Sequence, residues 1–252
     1  KRVINLDFSF ITDCGMKRPT NEDYCHAETL IIQGEETGFF AVADGMGGHN
    51  KGEVASKMAI DKLRTYVFRH LEDNAEGVGD LKIMLSRAFY ETNKLVYEKA
   101  NKEEQFAGMG TTLIAAIINS NNLIVANVGD SRAYVFREDT LHQLTVDNSY
   151  VQELVKQGVI KPEDARTHPQ KNVITRAVGT DKSVRVDFYQ KELQKKDVVI
   201  LCSDGLTNMV DDSEIQNILR TCINPQNCCD SLVELANKKG GKDNITIVCV
   251  IL

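Results

Sequence analysis

Four runs of apolar, β-prone residues in this chain abut an aspartate, and this pattern limits what the chain can fold into. Phe39 to Ala43 leads into Asp44-Gly45, Leu123 to Gly129 into Asp130, and Val198 to Ser203 into Asp204-Gly205. In the fourth the order is reversed, with Asp243-Asn244 opening the run Ile245 to Ile251. Apolar runs of this length read as buried strands, so four carboxylates are expected where buried sheet meets loop. If they converge, like charges push each toward its neutral form. A divalent cation, which prefers carboxylate and carbonyl oxygens, is the usual remedy. The plain reading competes: Asp-Gly is the commonest hairpin dipeptide, and Asp often closes a turn. Any one of the four is more readily a turn residue than a ligand. Four at strand ends, with Glu22-Asp23 beside them, favour a metal-dependent enzyme.

The rest of the pattern mixes strands and helices. Strands are expected around 8–12 and 39–43, followed by two amphipathic helices. Ala55, Ala59, Leu63 and Val67 line one face of the first, and Leu81, Leu85, Ala88, Phe89, Thr92, Leu95 and Val96 line one face of the second. Short strands follow at 111–118, 123–128 and 133–137. A polar region over 147–180 reads as a helix at 150–157 and an irregular segment. Strands at 184–189 and 198–202, helices near 212–220 and 226–239, and a last strand complete the chain. Strict βα alternation is absent, so antiparallel sheets covered by helices fit better than a doubly wound parallel sheet.

Charge and cysteine content exclude several functions. A net charge of −6 with no basic block argues against nucleic acid as partner. No apolar stretch approaches membrane-spanning length. The chain opens on Lys1 with no signal-peptide pattern, which leads us to expect a trimmed product. The seven cysteines lack a Cys-x-x-Cys pair, so free thiols in a reducing cytoplasm are expected. There is no phosphate-binding Gly-x-x-x-x-Gly-Lys loop, and no Cys with Arg six positions later. No His-Glu-x-x-His motif occurs; of the five histidines only His49 lies next to the acidic residues.

Taken in order, the motifs are familiar. Thr12 to Asp23 (TDCGMKRPTNED) resembles the first signature of the metal-dependent type-2C serine/threonine protein phosphatases, and Val42 to His49 (VADGMGGH) resembles the second in its bacterial form. Gly110-Thr111-Thr112, Val128 to Ala133, Leu201 to Leu206 and Lys242 to Thr246 are similar to the later signatures. The likeness spans nearly the whole chain.

The resemblance implies an α+β fold: a four-layer αββα sandwich of two antiparallel β-sheets flanked by helices. It would form a single catalytic domain over 1–252, with a flap-like segment over about 147–180. It implies two manganese or magnesium ions and a third, weaker site. Asp44 would bridge the pair, with the Gly45 carbonyl on one ion and Asp204 and Asp243 on the other. Glu22 and Asp23 would hold the pair directly or through water, and Asp130 with Asp204 would form the third site. Arg18 would grip the substrate phosphate, a task its planar, permanently charged fork suits. A two-metal site activates water for in-line displacement at phosphorus, so no covalent enzyme intermediate is needed. The proton donor stays open between His49 and water, because Met46 stands where animal members usually carry histidine. Asn148 likewise replaces a histidine frequent in bacterial relatives. The implied activity is hydrolysis of phosphoserine and phosphothreonine in a cytoplasmic monomer, opposing a bacterial eukaryotic-like Ser/Thr kinase. A catalytically silent, phosphoprotein-binding regulator on the same scaffold is the alternative, and its expected mark is loss of an acidic ligand.

Overall fold

Two antiparallel sheets stack face to face, and helices cover the outer face of each. The computed structural model describes residues 5–32, 34–47, 51–74 and 78–252. The first half runs β1 (Asp7–Asp13), β2 (Asp23–Ile32), β3 (Glu35–Met46), α1 (Lys51–Asn74), α2 (Val78–Lys102), β4 (Gly110–Thr111), β5 (Leu113–Asn119) and β6 (Asn122–Val128). The second half runs β7 (Arg132–Arg137), β8 (Thr140–Gln143), α3 (Tyr150–Lys156), α4 (Pro162–Ala165), β9 (Asp187–Glu192) and β10 (Val198–Cys202). It ends with α5 (Asp204–Thr207), α6 (Asp212–Thr221), α7 (Pro225–Lys238) and β11 (Ile245–Ile251). One sheet has the order β1-β11-β10-β7-β8; the other has β2-β3-β5-β6-β9, with β4 paired to β3.

Strand alternation explains the layering. In β3, Phe39, Ala41 and Ala43 pack toward α1 and α2, while Phe40 and Val42 join the core between the sheets. In β11, Ile245, Ile247 and Cys249 pack against Leu232 and Ala236 of α7, while Val248 and Val250 turn inward. Successive side chains of a strand point to opposite faces, so central strands buried on both sides read as continuous apolar runs. Each fully buried side chain of this size contributes roughly 1.5–3 kcal/mol relative to exposure. The four-layer expectation is met.

Helix ends follow local chemistry. Asp211 and Glu214 form a reciprocal capping box at the start of α6. Asn224 caps α7, with Pro225 in the first turn where its missing N–H costs nothing.

The structure differs from the sequence expectation in several places. β2 and β8 are additional strands. The strand expected at 184–189 lies three residues later, as β9, and β4 is a separate two-residue piece ahead of β5. The cysteines are not all free thiols. Cys222, at the end of α6, and Cys228, in the first turn of α7, are disulfide-bonded with Cα atoms 5.3 Å apart. The capped turn at Asn224-Pro225 folds the chain back and brings the two positions together. Among the described residues no helix is long and apolar enough to cross a membrane.

Candidate active site

The acidic residues meet at one end of the sandwich because the sheet topology brings them there. Asp44, near the end of β3, stands directly across from Asp23, the first residue of β2. Asp130 lies in the turn between β6 and β7, Asp204 opens α5 just after β10, and Asp243 precedes β11. The same end therefore collects carboxylates from both sheets.

Side chains and backbone groups around each aspartate fix its position. Asp23 Oδ2 accepts from Ser203 Oγ at 2.7 Å, and that hydroxyl accepts from Thr246 N–H at 3.0 Å. The Asp44 N–H donates to Thr112 Oγ1 at 3.0 Å, while its carbonyl accepts from Thr112 N–H and the Thr111 hydroxyl, both at 2.9 Å. Asp204 Oδ2 accepts from Asn208 Nδ2 at 2.8 Å, and Asn208 Oδ1 accepts from Lys171 Nζ at 2.8 Å. Glu22 N–H donates to Asn244 Oδ1 at 2.8 Å, and its carbonyl accepts from Ser56 Oγ and Gly45 N–H. Arg18 Nη2 donates to Asp243 Oδ2 at 2.8 Å, with the arginine side chain about half exposed.

Gly45 and Gly52 pack backbone to backbone. A Cβ on Gly45 would lie 2.1 Å from the Gly52 carbonyl oxygen. A Cβ on Gly52 would lie 2.8 Å from both the Gly45 carbonyl oxygen and the Glu22 carboxyl carbon. Glycine at both positions lets these two oxygen-bearing groups approach one point.

Electrostatics report the crowding. Burial raises the Asp23 carboxyl to about 7, against hydrogen bonds from Thr246 and Ser203, and the charges of Asp204 and Asp243 add to the rise. Burial, then the Asp243 charge, raises Asp204 to about 6. Burial and then neighbouring carboxylates push Asp44 and Asp130 well above the usual carboxylate range; Asp23, Asp204 and Asp130 act on Asp44, and Asp204 acts on Asp130. Beside Asp130 and Asp204, a cleft of about 590 Å³ opens against the 147–180 segment, with Asp147, Arg166, Lys171 and Asn208 in its wall.

The residues fit divalent cations. Asp23 Oδ1 and Asp204 Oδ1 are buried without a hydrogen-bond partner among the described residues. A buried carboxylate oxygen with no partner is costly, and hard cations take this donor type. The ligand set is not closed beforehand: among the described residues no three His, Cys, Asp or Glu side chains already form a cation cage. Crowded carboxylates, two of them with one partnerless oxygen and none in a finished cage among the described residues, fit a site that a cation would draw together.

Of the residues singled out from sequence, Asp23, Asp44, Asp130, Asp204 and Asp243 act electrostatically on one another. Glu22 and Gly45 meet at the Gly52 contact, and Arg18 reaches the group through Asp243. His49 lies outside the described residues. Sequence reasoning missed Ser203, Thr246, Thr112, Asn208, Asn244 and Lys171 as supporting groups. The first five stand within four residues of an aspartate or beside a glycine-rich turn, which was the available signal.

Comparison with known proteins identifies the family and the fold. Residues 16–236 match the family model described as Protein phosphatase 2C. The chain is 40% identical over 243 residues to the serine/threonine phosphatase stp of Listeria welshimeri, covering 96% of this chain and 94% of that protein. It superposes on the S. agalactiae serine/threonine phosphatase structure with a TM-score of 0.90 at 34% identity, covering 98% of this chain and all of that one. The catalytic domain of the serine threonine protein phosphatase PstP, solved in complex with two manganese ions, gives a TM-score of 0.83 at 35% identity, covering 98% and 99% of the two chains. The chain belongs to the protein phosphatase 2C family.

Proposed function

We propose that this enzyme hydrolyses phosphoserine and phosphothreonine in proteins, using two manganese or magnesium ions held by Asp44, Gly45, Asp204, Asp243, Glu22 and Asp23. The observation that carries the reading is the meeting of crowded carboxylates from both sheets, two of them with buried, partnerless oxygens. The pair of ions, when bound, supplies activated water and charge stabilisation for in-line displacement at phosphorus. The chain's own residues prepare the site. Ser203 and Thr112 fix Asp23 and Asp44, Asn208 fixes one oxygen of Asp204, and Arg18, held by Asp243, offers a fork to phosphate oxygens beside the acidic group. Asp130 with Asp204 forms a third, weaker cation site, and the 590 Å³ cleft beside it receives the polypeptide next to the phosphorylated residue. The working unit is one domain over 1–252, acting as a cytoplasmic monomer against a bacterial Ser/Thr kinase that places the phosphates.

Hydrolysis of a phosphothreonine peptide with manganese, then with chelator, tests the proposal. Asp44→Ala and Asp204→Ala are expected to lose nearly all turnover with an unchanged far-UV circular dichroism spectrum. Arg18→Ala is expected to raise KM more than it lowers kcat. Equal turnover by wild type and Asp204→Ala would falsify the assignment.

A further inference from the structure

Asn148 is a buried residue at the joint between the acidic cluster and the 147–180 segment, and no step of the proposed reaction uses it. It is 2% exposed, and its polar groups engage three separate stretches of chain. Its N–H donates to the Gly129 carbonyl at 2.8 Å, and its Oδ1 accepts from Gly129 N–H at 3.0 Å. Its Nδ2 donates to Asp187 Oδ2, at the start of β9, at 2.9 Å. Its carbonyl accepts from Thr175 N–H at 2.8 Å, on the returning arm of the segment. One planar amide thus supplies both the acceptor and the donor that the joint requires.

The clamped glycine immediately precedes Asp130. Gly129 has φ 114°, a conformation that side-chain-bearing residues rarely adopt, and a Cβ there would lie 2.6 Å from Thr112 Cβ. Thr112 is the residue that holds the Asp44 backbone. Gly129 is therefore pinned from two sides, by Thr112 through close packing and by Asn148 through paired hydrogen bonds. The direction in which Asp130 leaves the β6–β7 turn follows from that pinning.

We infer that Asn148 is the positioning residue for Asp130, holding the Gly129 peptide so that the Asp130 carboxylate is set for a cation beside Asp204. This rests on the reading of Asp130 as a cation ligand. Groups that orient a metal ligand typically change metal affinity by about 10–100-fold when removed, without touching the metal. The neighbouring Arg132–Asp147 fork anchors the same turn from its other side, with Arg132 Nη2 and Asp147 Oδ2 2.8 Å apart.

Calorimetric titration of the metal-free protein with manganese, comparing wild type, Asp130→Ala, Asn148→Ala and Asn148→Asp, is the test. Asp130→Ala should remove the weakest binding step. Asn148→Ala should weaken that step about ten-fold or more and leave the tighter steps as in wild type. Its turnover loss should recover as manganese is raised. Asn148→Asp keeps the acceptor for Gly129 N–H but turns a carboxylate toward Asp187, so it should fall between the two. If Asn148→Ala does not fold, Asn148→Asp decides alone. A wild-type isotherm in the Asn148 variants, or equal weakening of every step, overturns the inference while leaving Asp130 as ligand. An isotherm unchanged by Asp130→Ala removes the reading of Asp130 itself, and with it the role given to Asn148.

Discussion

Ser203 Oγ donates to Asp23 Oδ2 at 2.7 Å, and this contact ties the two sheets together at the floor of the acidic cluster. Asp23 belongs to β2 of one sheet; Ser203 follows β10 of the other and also receives the Thr246 N–H at the start of β11. The hydroxyl serves as donor to one group and acceptor from another, both buried. Its position sets the spacing between carboxylates contributed by opposite sheets.

Ser203→Ala therefore removes two buried hydrogen bonds at once. A buried group left without its partner costs about 1–3 kcal/mol, more when it is charged. Urea unfolding of the metal-free variant should show a stability loss of that order. Manganese affinity should fall too, because Asp23 is no longer held. Unchanged unfolding midpoints would show that the contact carries no weight.

Crowding of the carboxylates leads to an opposite expectation for Asp44→Asn. Asp44 is held well above its ordinary range by burial first, and then by the charges of Asp23, Asp204 and Asp130. Replacing it with a neutral isostere removes the cost of burying so strongly raised a carboxyl and relieves its neighbours. At pH 8 the metal-free variant should melt at a higher temperature than metal-free wild type, while losing manganese-dependent turnover. Stability bought at the expense of activity is common where function concentrates like charges. A lower melting temperature for the variant without metal would count against mutual repulsion at this site.

Much of this arrangement was legible in the sequence, for physical reasons. Central strands such as β5 and β11 are buried on both faces, so their residues had to be apolar, and the aspartates interrupting such runs were conspicuous. β2 was not legible because every residue from Tyr24 to Ile31 keeps some exposure, and Cys25, His26 and Glu28 interrupt any apolar run. Its pairing with β3, from Asp23 opposite Asp44 to Ile32 opposite Glu35, is a tertiary fact. The supporting groups were hidden for the same reason. Nothing local marks Ser203 as the partner of Asp23, 180 residues away, or Asn244 as the acceptor for Glu22 N–H. The Cys222–Cys228 bond depends on a turn between two helices that hydrophobic periodicity does not register.

Gly52→Ala tests how closely the backbone of α1 must approach β3. The added Cβ would meet the Gly45 carbonyl carbon at 2.7 Å and the Glu22 carboxyl carbon at 2.8 Å. A backbone atom cannot swing aside as a flexible side chain can, so either α1 or the Gly45 peptide must shift. Since Gly45 and Glu22 both belong to the proposed ligand set, the variant should bind manganese more weakly by about ten-fold or more. Its melting temperature in the absence of metal should fall as well. Gly158→Ala is a suitable comparison. Gly158 has a positive φ of 71°, which helical Gly52 does not, and nothing lies within 4 Å of its added Cβ, so it should show a small stability loss and a wild-type manganese isotherm. Equal isotherms for the two variants would mean that the close approach at Gly52 does not shape the site.

Protonation should be linked to cation binding with a definite sign. Asp23 rises to about 7 and Asp204 to about 6 in the metal-free protein, both above the ordinary 3.8. Raised folded values mean that the native state holds protons more tightly than the unfolded chain. These two groups therefore make metal-free stability fall as pH climbs from about 4 through about 7. A cation replaces the proton and cancels the repulsion, so the gain in melting temperature on adding manganese should widen from pH 5 to pH 8. Manganese binding at pH 6 should also release protons, seen as a binding heat that changes between buffers of different ionisation enthalpy. Near pH 8 Asp23 and Asp204 are mostly ionised beforehand, and their share of the released protons should shrink. A binding heat independent of buffer at pH 6, with a melting gain that is flat across the range, would mean that the carboxylates are already charged and spaced without the metal.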